Sequence, residues 1–294
     1  MAGPTGAGKS AFAAALALRL DGEVVGADAF QIYNGLPILT AQPSPELQAL
    51  VPHHLVGCLA VSESFDVAQY AKQAWACIGA IQASGRVAVV TGGTGLYLKA
   101  LTHGLADIPR PDADLRKRLE ALPLEDALEL LRRNDATAPD NIDCRNPLRV
   151  RRALEIVITT GQPLAESRRE WTQSNGLFRG IFLSRTREDL QARIAANVAA
   201  MFASGVVDEV RAAAHAGSGA SRAIGFREIQ SLLRGEITET HCREAILTAT
   251  RRYAKRQLTW CRTQFNFSAL NVTEVAFPEP ALTTALALLD NHTK

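Results

Sequence analysis

The sequence predicts an α/β fold in which a parallel sheet carries an all-helical insertion. In the N-terminal third, apolar segments typical of strands alternate with segments of helical composition. A glycine-rich turn opens the first helix, and the segment 110–177 is charged and helical in composition, with no strand candidate. The alternation favours a parallel sheet, because parallel strands need crossover connections that are usually helical.

The elements of the predicted sheet region follow from local composition. Lys9 to Leu20 is rich in Ala and Leu, which favour a helix. The segment 86–91 is rich in Val, which favours a buried strand. In order, we predict a glycine-rich turn at 3–10, a helix at 9–20, a strand at 23–28, a helix at 64–84 that stops at Gly85, a strand at 86–91, and a glycine-rich turn at 92–95 that leads into another helix.

A change of composition at Pro109 predicts the domain boundary. Pro109 and Pro111 break the preceding pattern, and a strand candidate at 180–184 marks the return to the sheet. We expect residues 1–109 and 178–294 to form the α/β core, and residues 110–177 to form the helical insertion domain. The rest of the core is predicted to be helical, over 186–203, 206–215, 223–233 and 239–265.

Residues 3–10 match the phosphate-binding loop pattern G-x-x-x-x-G-K-[ST] at every position. In such a P-loop, backbone N–H groups converge on phosphate oxygens at a helix N-terminus, whose dipole favours an anion. Lys9 adds a positive charge, and Ser10 offers a hydroxyl to Mg²⁺. Kinases, NTPases and diphosphate-transferring enzymes all use this motif. The predicted phosphate site is Gly3, Pro4, Thr5, Gly6, Ala7, Gly8, Lys9 and Ser10.

The strand that ordinarily precedes a P-loop is not evident in the sequence. Only Met1 and Ala2 stand before Gly3, whereas the motif normally follows a hydrophobic strand. We therefore expect a P-loop NTPase-like core whose first strand is missing or truncated to a stub. Either the chain start is truncated, or a neighbouring strand compensates.

Asp28 lies at the carboxyl end of the strand predicted at 23–28, which is the second strand of the core when the missing first strand is counted, and it has three interpretations. The run Val24-Val25-Gly26-Ala27-Asp28 is similar to a Walker B strand, which would make Asp28 a partner of Mg²⁺. Alternatively, Asp28 is a general base that faces an acceptor, at the strand end where α/β sheets bind ligands. A structural helix cap is the third interpretation. Composition alone leaves all three open.

Composition and charge limit the class of protein. Hydrophobic residues make up 47% of the chain and charged residues 21%, which is typical of a globular fold. The net charge is +2, so a site for a polyanion must come from local clustering. The five scattered cysteines contain no C-x-x-C pair, which argues against a disulfide framework or a zinc site. No segment approaches the ~18 apolar residues of a membrane span. We therefore expect a cytoplasmic protein with no membrane partner.

Positive charge clusters in two places. Residues 245–273 contain no acid, and on a helix their five cations fall within a sector of about 140°. Tyr253 and Trp260 lie at the edge of this sector, and a basic face beside aromatic rings suits RNA phosphates and an unstacked base. A solvated structural face is the alternative, although such faces usually mix both signs. The five cations are Arg251, Arg252, Lys255, Arg256 and Arg262, and the second cluster is Arg145, Arg149, Arg151 and Arg152.

Several segments together closely resemble the bacterial tRNA dimethylallyltransferases (tRNA isopentenyltransferases). The resemblance spans about residues 3 to 265, and it is specific because the segments occur in one order. Besides the P-loop and Asp28-Ala-Phe-Gln31-Ile-Tyr33, they are Pro52-His53-His54-Leu55, Gly92-Gly-Thr94-Gly-Leu-Tyr97, Ala223-Ile-Gly-Phe-Arg227-Glu228 and Thr250-Arg-Arg-Tyr-Ala-Lys-Arg-Gln257-Leu-Thr-Trp260.

The resemblance implies transfer of a dimethylallyl group from dimethylallyl diphosphate to N6 of the adenosine next to the anticodon of tRNA. It implies that the P-loop holds the diphosphate with Mg²⁺ near Ser10, and that Asp28 is the base. Lys9 and Arg227 are the other catalytic residues, and Arg227 and Thr94 contact diphosphate and tRNA. The insertion is expected to contact the anticodon stem-loop, and we expect a monomer. The expected tRNA contacts are Asp28, Ala29, Phe30, Gln31, Thr94, Arg116, Leu148, Arg149, Val150, Arg151 and Arg152, to which the basic face adds Arg251, Lys255 and Arg262.

Four positions depart from the family pattern. Ala29, Gln42, Phe226 and Asn197 stand where the family usually has serine, lysine, tyrosine and arginine. Because Lys9, Asp28 and Arg227 are present, we expect these changes to affect rate and affinity more than reaction type. The alternatives are an isopentenyltransferase for free adenine nucleotides, a P-loop nucleotide kinase or NTPase, and an RNA-binding protein with an inactive loop.

Overall fold

The chain divides into two compact units in the computed structural model, which describes residues 1–105, 108, 112–167 and 174–290. One unit comprises Met1–Leu101 and Phe178–Lys294, and the other comprises Thr102–Leu177. The helical unit thus starts at Thr102, whereas the sequence placed the start of the insertion at residue 110. The proline pair used for that boundary lies outside the described residues.

In the described part of the first unit, five parallel strands form the sheets, which confirms the predicted α/β class. Three of them pair in the order β2-β1-β3, and β4 pairs with β5. The sequence predicted β1, β3 and β4 with bounds that differ by at most two residues at either end. The strands are β1 (Gly22–Gly26), β2 (His53–His54), β3 (Val87–Thr91), β4 (Ile181–Ser184) and β5 (Ser268–Asn271).

Ala2 lies between the two groups of strands, in the place of the strand that the sequence lacks. It forms parallel bridges with Gly92 on one side and Phe182 on the other. Its N–H donates to Ile181 at 3.0 Å, and its carbonyl oxygen accepts from Leu183 at 2.8 Å. The predicted stub therefore consists of a single bridging residue, which connects the β3 side to the β4 side immediately before the P-loop.

Most of the predicted helical segments are helices in the structure, with different bounds. The helix predicted over 64–84 begins after a capping box, in which Asp66 and Gln69 satisfy each other's backbone N–H groups, and it closes at Gly85 with φ +79°. The predicted segments end at residue 265, so neither β5 nor α13 was predicted. The helices are α1 (Lys9–Arg19), α2 (Pro45–Leu50), α3 (Val67–Ala83), α4 (Gly95–His103), α5 (Ala113–Ala121), α6 (Leu124–Asn134), α7 (Pro147–Thr160), α8 (Leu164–Ser167), α9 (Arg187–Ala203), α10 (Val206–Ala212), α11 (Phe226–Leu233), α12 (Glu239–Gln264) and α13 (Glu279–Asp290).

Helices cover both faces of the sheet, because successive strand residues point to opposite sides. Val24 and Val89 pack with residues of α1 and α13 on one face. Val25 and Val90 pack with residues of α3 and α4 on the other face. This layering places the P-loop and the carboxyl ends of β1 and β3 together at one edge, where α/β folds bind ligands.

The helical unit has its own core, built from α5 to α8. Val150 and Leu154 of α7 are fully buried in it beside Leu131 of α6. Asn146 caps α7, Pro147 occupies its first turn, and Gly161 ends it with φ +66°. In this unit the described elements are helices and 3₁₀ turns.

Among the described residues, no single helix has both the length and the hydropathy of a membrane span, although α9 and α10 taken together across a 63° bend meet both criteria.

Candidate active site

The glycines of the P-loop have a backbone conformation and packing that other residues rarely permit. Gly6 and Gly8 have φ of +82° and +91°, values that side chains rarely tolerate. A Cβ on Gly3 would lie 2.7 Å from the carbonyl oxygen of Leu183, so only glycine fits against β4. The Lys9 ammonium donates to the Pro4 carbonyl oxygen at 2.9 Å across the loop. Local sequence therefore determines both the loop conformation and the start of α1.

Burial lowers the pKa of Lys9, and the neighbouring Asp28 carboxylate opposes this shift. An ammonium withdrawn from water is stabilised when a phosphate anion arrives, because the anion replaces the lost solvation. The lysine is thus prepared for an anionic ligand.

A cavity of about 290 Å³ opens beside the P-loop and has a polar and an apolar side. Lys9, Ser10 and Asp28 line the polar side. The apolar side is suited to a small hydrocarbon group, since its walls are aliphatic. Its apolar lining includes Ile38, Leu39, Ile194, Val198, Met201, Ala223, Ile224 and Ile246.

Asp28 is held in its position through one carboxylate oxygen. Oδ1 accepts from the N–H of Phe30 at 3.0 Å and of Gln31 at 3.4 Å. No described residue donates to Oδ2, and Asp28 lines the cavity. Residues 29–32 form a turn and not a helix, so Asp28 closes a turn instead of capping a helix. The oxygen that holds this turn is Oδ1, which leaves Oδ2 for the general-base interpretation.

Thr94 connects the Asp28 segment to the turn after β3. Its Oγ1 accepts from the N–H of Ala29 at 2.9 Å, and its own N–H donates to Ala27 at 3.2 Å. Both contacts are made by the backbone of the Asp28 segment, so the alanine at 29 retains them.

The segment 36–42 forms a wall of the cavity and is held in place by the side chains of Glu209, which no sequence pattern indicated, and Gln42. Glu209 accepts from the N–H groups of Ile38 and Leu39, both at 2.7 Å. Burial raises the pKa of Glu209, while these two N–H groups act in the opposite direction. Gln42, at a position of family departure, donates to the carbonyl oxygens of Gln31 at 2.9 Å and Tyr33 at 2.8 Å. Its amide thus holds this segment together.

Two arginines near the start of α9 reach the P-loop, and sequence reasoning missed both. Arg185 donates to Ala7 and Arg193 to Gly6, each to the carbonyl oxygen at 3.0 Å. Their Nη2 atoms approach the same side of Gly8, at 3.6 and 3.8 Å from the position of a Cβ on that residue. No local motif marks them, because they are far from the P-loop in sequence. Asn197, another family departure, follows Arg193 by one helical turn and also lines the cavity.

The five cations of α12 form an exposed face, which we call the basic face (Arg251, Arg252, Lys255, Arg256 and Arg262). None of them forms an ion pair with a described residue. Tyr253 lies at the edge of this face, as predicted, with the guanidinium of Arg256 5.6 Å from the centroid of its ring. Tyr253 also lines the cavity, and Trp260 packs against Gly95. Both aromatic side chains are half-buried, between the exposed cations and the interior side of α12.

The predicted tRNA contacts of the helical unit differ in exposure. Leu148 is 69% exposed, and Arg149 is exposed beside it. Arg116 and Arg152 both pair with the buried carboxylate of Glu155, at 3.1 and 2.9 Å. Arg151 donates to the Leu122 carbonyl oxygen at 2.9 Å. Val150 is fully buried, so its side chain belongs to the core of the unit.

Arg227 and Phe226 begin α11 with opposite orientations. Arg227 is exposed and lies outside the cavity lining, whereas Phe226 is buried and packs with Ile229. The phenylalanine fills a dry site, where a tyrosine hydroxyl would need a partner. The structure therefore brings Lys9, Ser10 and Asp28 to one cavity and leaves Arg227 outside it.

The oxygen donors near the P-loop fit a magnesium ion that is held largely by phosphate and water. Ser10 lines the cavity, and so does Thr91, whose buried Oγ1 has no hydrogen-bond partner. Mg²⁺ prefers oxygen ligands and typically uses few protein groups when phosphates are present. Within the described residues, no group of three or more His, Cys, Asp or Glu side chains forms an all-protein metal site.

The fold and the site define a P-loop α/β protein whose phosphate site adjoins a small apolar pocket. The family model described as IPP transferase matches residues 31–264. The chain belongs to this IPP transferase family.

Curated relatives and solved structures agree with this assignment. A tRNA dimethylallyltransferase of Akkermansia muciniphila is 41% identical over 263 residues, which cover 89% of each chain. One of Halorhodospira halophila is 42% identical over 275 residues, covering 89% of this chain and 88% of the relative. The tRNA isopentenylpyrophosphate transferase of Bacillus halodurans is similar in structure, with a TM-score of 0.72 and 33% identity over 99% of this chain and 95% of its own. A eukaryotic dimethylallyltransferase that acts on tRNA shares the fold, with a TM-score of 0.83 at 23% identity over 99% of this chain and 78% of its own.

Proposed function

We propose that the protein transfers the dimethylallyl group of dimethylallyl diphosphate to N6 of the adenosine next to the anticodon in tRNA. The observation that carries this proposal is the cavity, in which a P-loop, a carboxylate and an aliphatic pocket meet. A diphosphate, a reacting amine and a five-carbon hydrocarbon group need these three surroundings. The family membership and the names of its relatives point to the same reaction.

In the proposed reaction, the N6 amine attacks C1 of the dimethylallyl group while the bond from C1 to the diphosphate oxygen breaks. The electron pair of that bond leaves with the diphosphate. Lys9 and the loop N–H groups stabilise the charge that develops there. The unoccupied Oδ2 of Asp28 takes the proton that the amine loses. An adenine stacked in a loop cannot reach a cavity, so it must be extruded from the stack.

Ser10 and Thr91 are the residues that we propose for holding Mg²⁺ together with the diphosphate. Bound there, the ion supplies additional positive charge for the leaving group. The remaining residues of the site act independently of it: Lys9 bonds the diphosphate, Asp28 holds the proton, and the aliphatic wall excludes water.

The basic face is the tRNA surface that the charges favour. Five exposed cations without ion-pair partners among the described residues create a positive potential that a mononucleotide does not require. This favours tRNA over a free adenine nucleotide as acceptor. We propose three further exposed contacts with tRNA, namely Leu148, Arg149 and Arg227. Arg116 and Arg152 would contact tRNA while they remain paired with Glu155. Since the proposed acceptor is tRNA, we expect the protein to act in the cytoplasm. The monomeric state of the protein stays a prediction.

Label transfer tests the proposed function directly. The protein is incubated with dimethylallyl diphosphate labelled in the hydrocarbon group and with unmodified tRNA, AMP or no acceptor. Label in tRNA alone is the expected result, and digestion to nucleosides locates it on adenosine. Preferential transfer to AMP would show that the acceptor is a free nucleotide. A parallel incubation with labelled ATP tests the remaining alternative: hydrolysis or transfer of its phosphate, without any prenyl transfer, would indicate a nucleotide kinase or NTPase.

A further inference from the structure

Gln257 of α12 joins the P-loop to the turn that follows β3. Its Oε1 accepts from the N–H of Thr5 at 2.8 Å, and its Nε2 donates to the carbonyl oxygen of Gly93 at 2.9 Å. The side chain is only 5% exposed. One backbone group is a donor and the other an acceptor, and the uncharged amide of Gln257 satisfies both at once.

The turn after β3 is pressed closely against α12. A Cβ on Gly93 would lie 2.1 Å from Nε2 of Gln257, and one on Gly95 would lie 2.1 Å from Cε3 of Trp260. At Gly95 this approach requires glycine, and a side chain at position 93 would displace the amide of Gln257. Packing against α12 therefore fixes the position of the turn after β3.

The same turn continues to the carboxylate. Thr94 holds the Asp28 segment through its bond with the N–H of Ala29. The connected sequence of contacts runs from Thr5 to Gln257, then to the turn 93–94, and finally to the segment that carries Asp28. It links the two halves of the site, the diphosphate loop and the base, through one buried amide.

We propose that Gln257 is a positioning residue, which fixes the P-loop relative to Asp28 and thereby aligns the leaving group with the attacking amine. This inference rests on the proposed function. Displacement at carbon needs the nucleophile and the leaving group in line, and errors of about 1 Å reduce rates on the order of 100-fold. Gln257 touches neither tRNA nor diphosphate in this role, because its side chain is buried and lies outside the cavity lining.

The position of Gln257 distinguishes it from the neighbouring cations. Lys255 and Arg256 precede it directly in sequence, yet they are exposed on the basic face. A change at Gln257 should therefore alter the chemical step and leave tRNA binding intact. A change on the basic face should do the reverse.

Gln257→Glu is the principal test variant, since it keeps the shape and the acceptor for Thr5 but removes the donor to Gly93. Gln73→Glu is the matched control, because Gln73 is exposed on α3, outside the site. Each protein is assayed for single-turnover rate at saturating substrates, for tRNA Kd, and for thermal unfolding. We expect at least a tenfold slower rate for Gln257→Glu with tRNA Kd within twofold of wild type, and no change for Gln73→Glu.

A second pair of variants tests the other end of the same contacts and covers a Gln257 variant that does not fold. Thr94→Val removes the acceptor for Ala29, whereas Thr94→Ser keeps it. We expect a slow rate for valine and substantial recovery for serine. If Gln257→Glu folds, a single-turnover rate within twofold of wild type overturns the inference. If Gln257→Glu does not fold, the same result in Thr94→Val overturns it. So does a weakening of tRNA binding that accounts for the whole loss. Absence of transfer by the wild type would instead contradict the proposed function.

Discussion

Arg193 donates from Nε to the carbonyl oxygen of Gly6 at 3.0 Å, and this bond ties helix α9 to the P-loop. Arg185 holds the next carbonyl group in the same way. With these carbonyl groups bound by guanidinium groups, the loop is stabilised in the conformation that directs its N–H groups to an anion. The two arginines also add positive charge beside Gly8. The proposed phosphate site therefore extends beyond its sequence motif.

Replacing Arg193 tests this extension of the site. We expect Arg193→Ala to weaken the binding of inorganic pyrophosphate about tenfold. The variant loses the hydrogen bond that stabilises the loop at Gly6, and the cavity loses a cation. Arg187→Ala is the matched control, since Arg187 is exposed on the same helix. Titration calorimetry of both variants gives the comparison. Equal affinities in the two variants would limit Arg193 to a surface role.

Replacing Asp28 with asparagine tests the proposed base. The asparagine retains an oxygen for the N–H of Phe30, so the local turn is kept while the basic group is lost. We expect turnover to fall by about 10²–10⁴, the usual contribution of a general base. The tRNA affinity should stay within threefold, because phosphates dominate it. A near-normal kcat at saturating substrates would exclude Asp28 as the base.

The lowered pKa of Lys9 predicts proton uptake when pyrophosphate binds. Burial disfavours the ammonium in the free protein, whereas a bound anion favours it and raises the pKa. Uptake therefore occurs between the pKa of the free protein and that of the complex, and it disappears below the former. Calorimetry in buffers of different ionisation enthalpy measures it. The Lys9→Met variant supplies the background from pyrophosphate itself, and the same uptake in both proteins would contradict the assignment.

The basic face predicts a salt-dependent affinity for tRNA. Replacing Arg251, Lys255 and Arg262 with alanine should weaken binding and flatten its dependence on salt, by up to about one unit of log–log slope per lost phosphate contact. The matched control removes Arg19, Lys72 and Arg187, which are exposed elsewhere. Both triple variants lose the same charge. If their salt slopes are equal, the face has no specific part in tRNA binding.

The KM for dimethylallyl diphosphate in the same triple variant provides an internal check. It should stay within twofold of wild type, because the diphosphate is bound at the P-loop, away from the exposed side of α12. A large rise in this KM would show that the substitutions disturb the inner face of the helix.

The sequence predicted the parts of the site that depend on local backbone. Gly6 and Gly8 determine the P-loop, and Asp28 follows a strand whose apolar residues are evident. The family resemblance was confirmed by the matching model, and the α/β class by the parallel strands. The basic face could also be predicted from the sequence, because the period of a single helix determines which of its residues share a face.

The tertiary structure decided which distant residues meet. Gln257 bonds to Thr5, 252 positions away, and Arg193 bonds to Gly6, 187 positions away. Short strands such as β5 were missed because pairing with β4, more than local propensity, stabilises them. Val150 lies among arginines in sequence, yet the packing of α7 buries it. Local patterns thus specified the P-loop and the basic face, whereas the positions of base, leaving group and supporting side chains depend on contacts that exist only after the chain has packed.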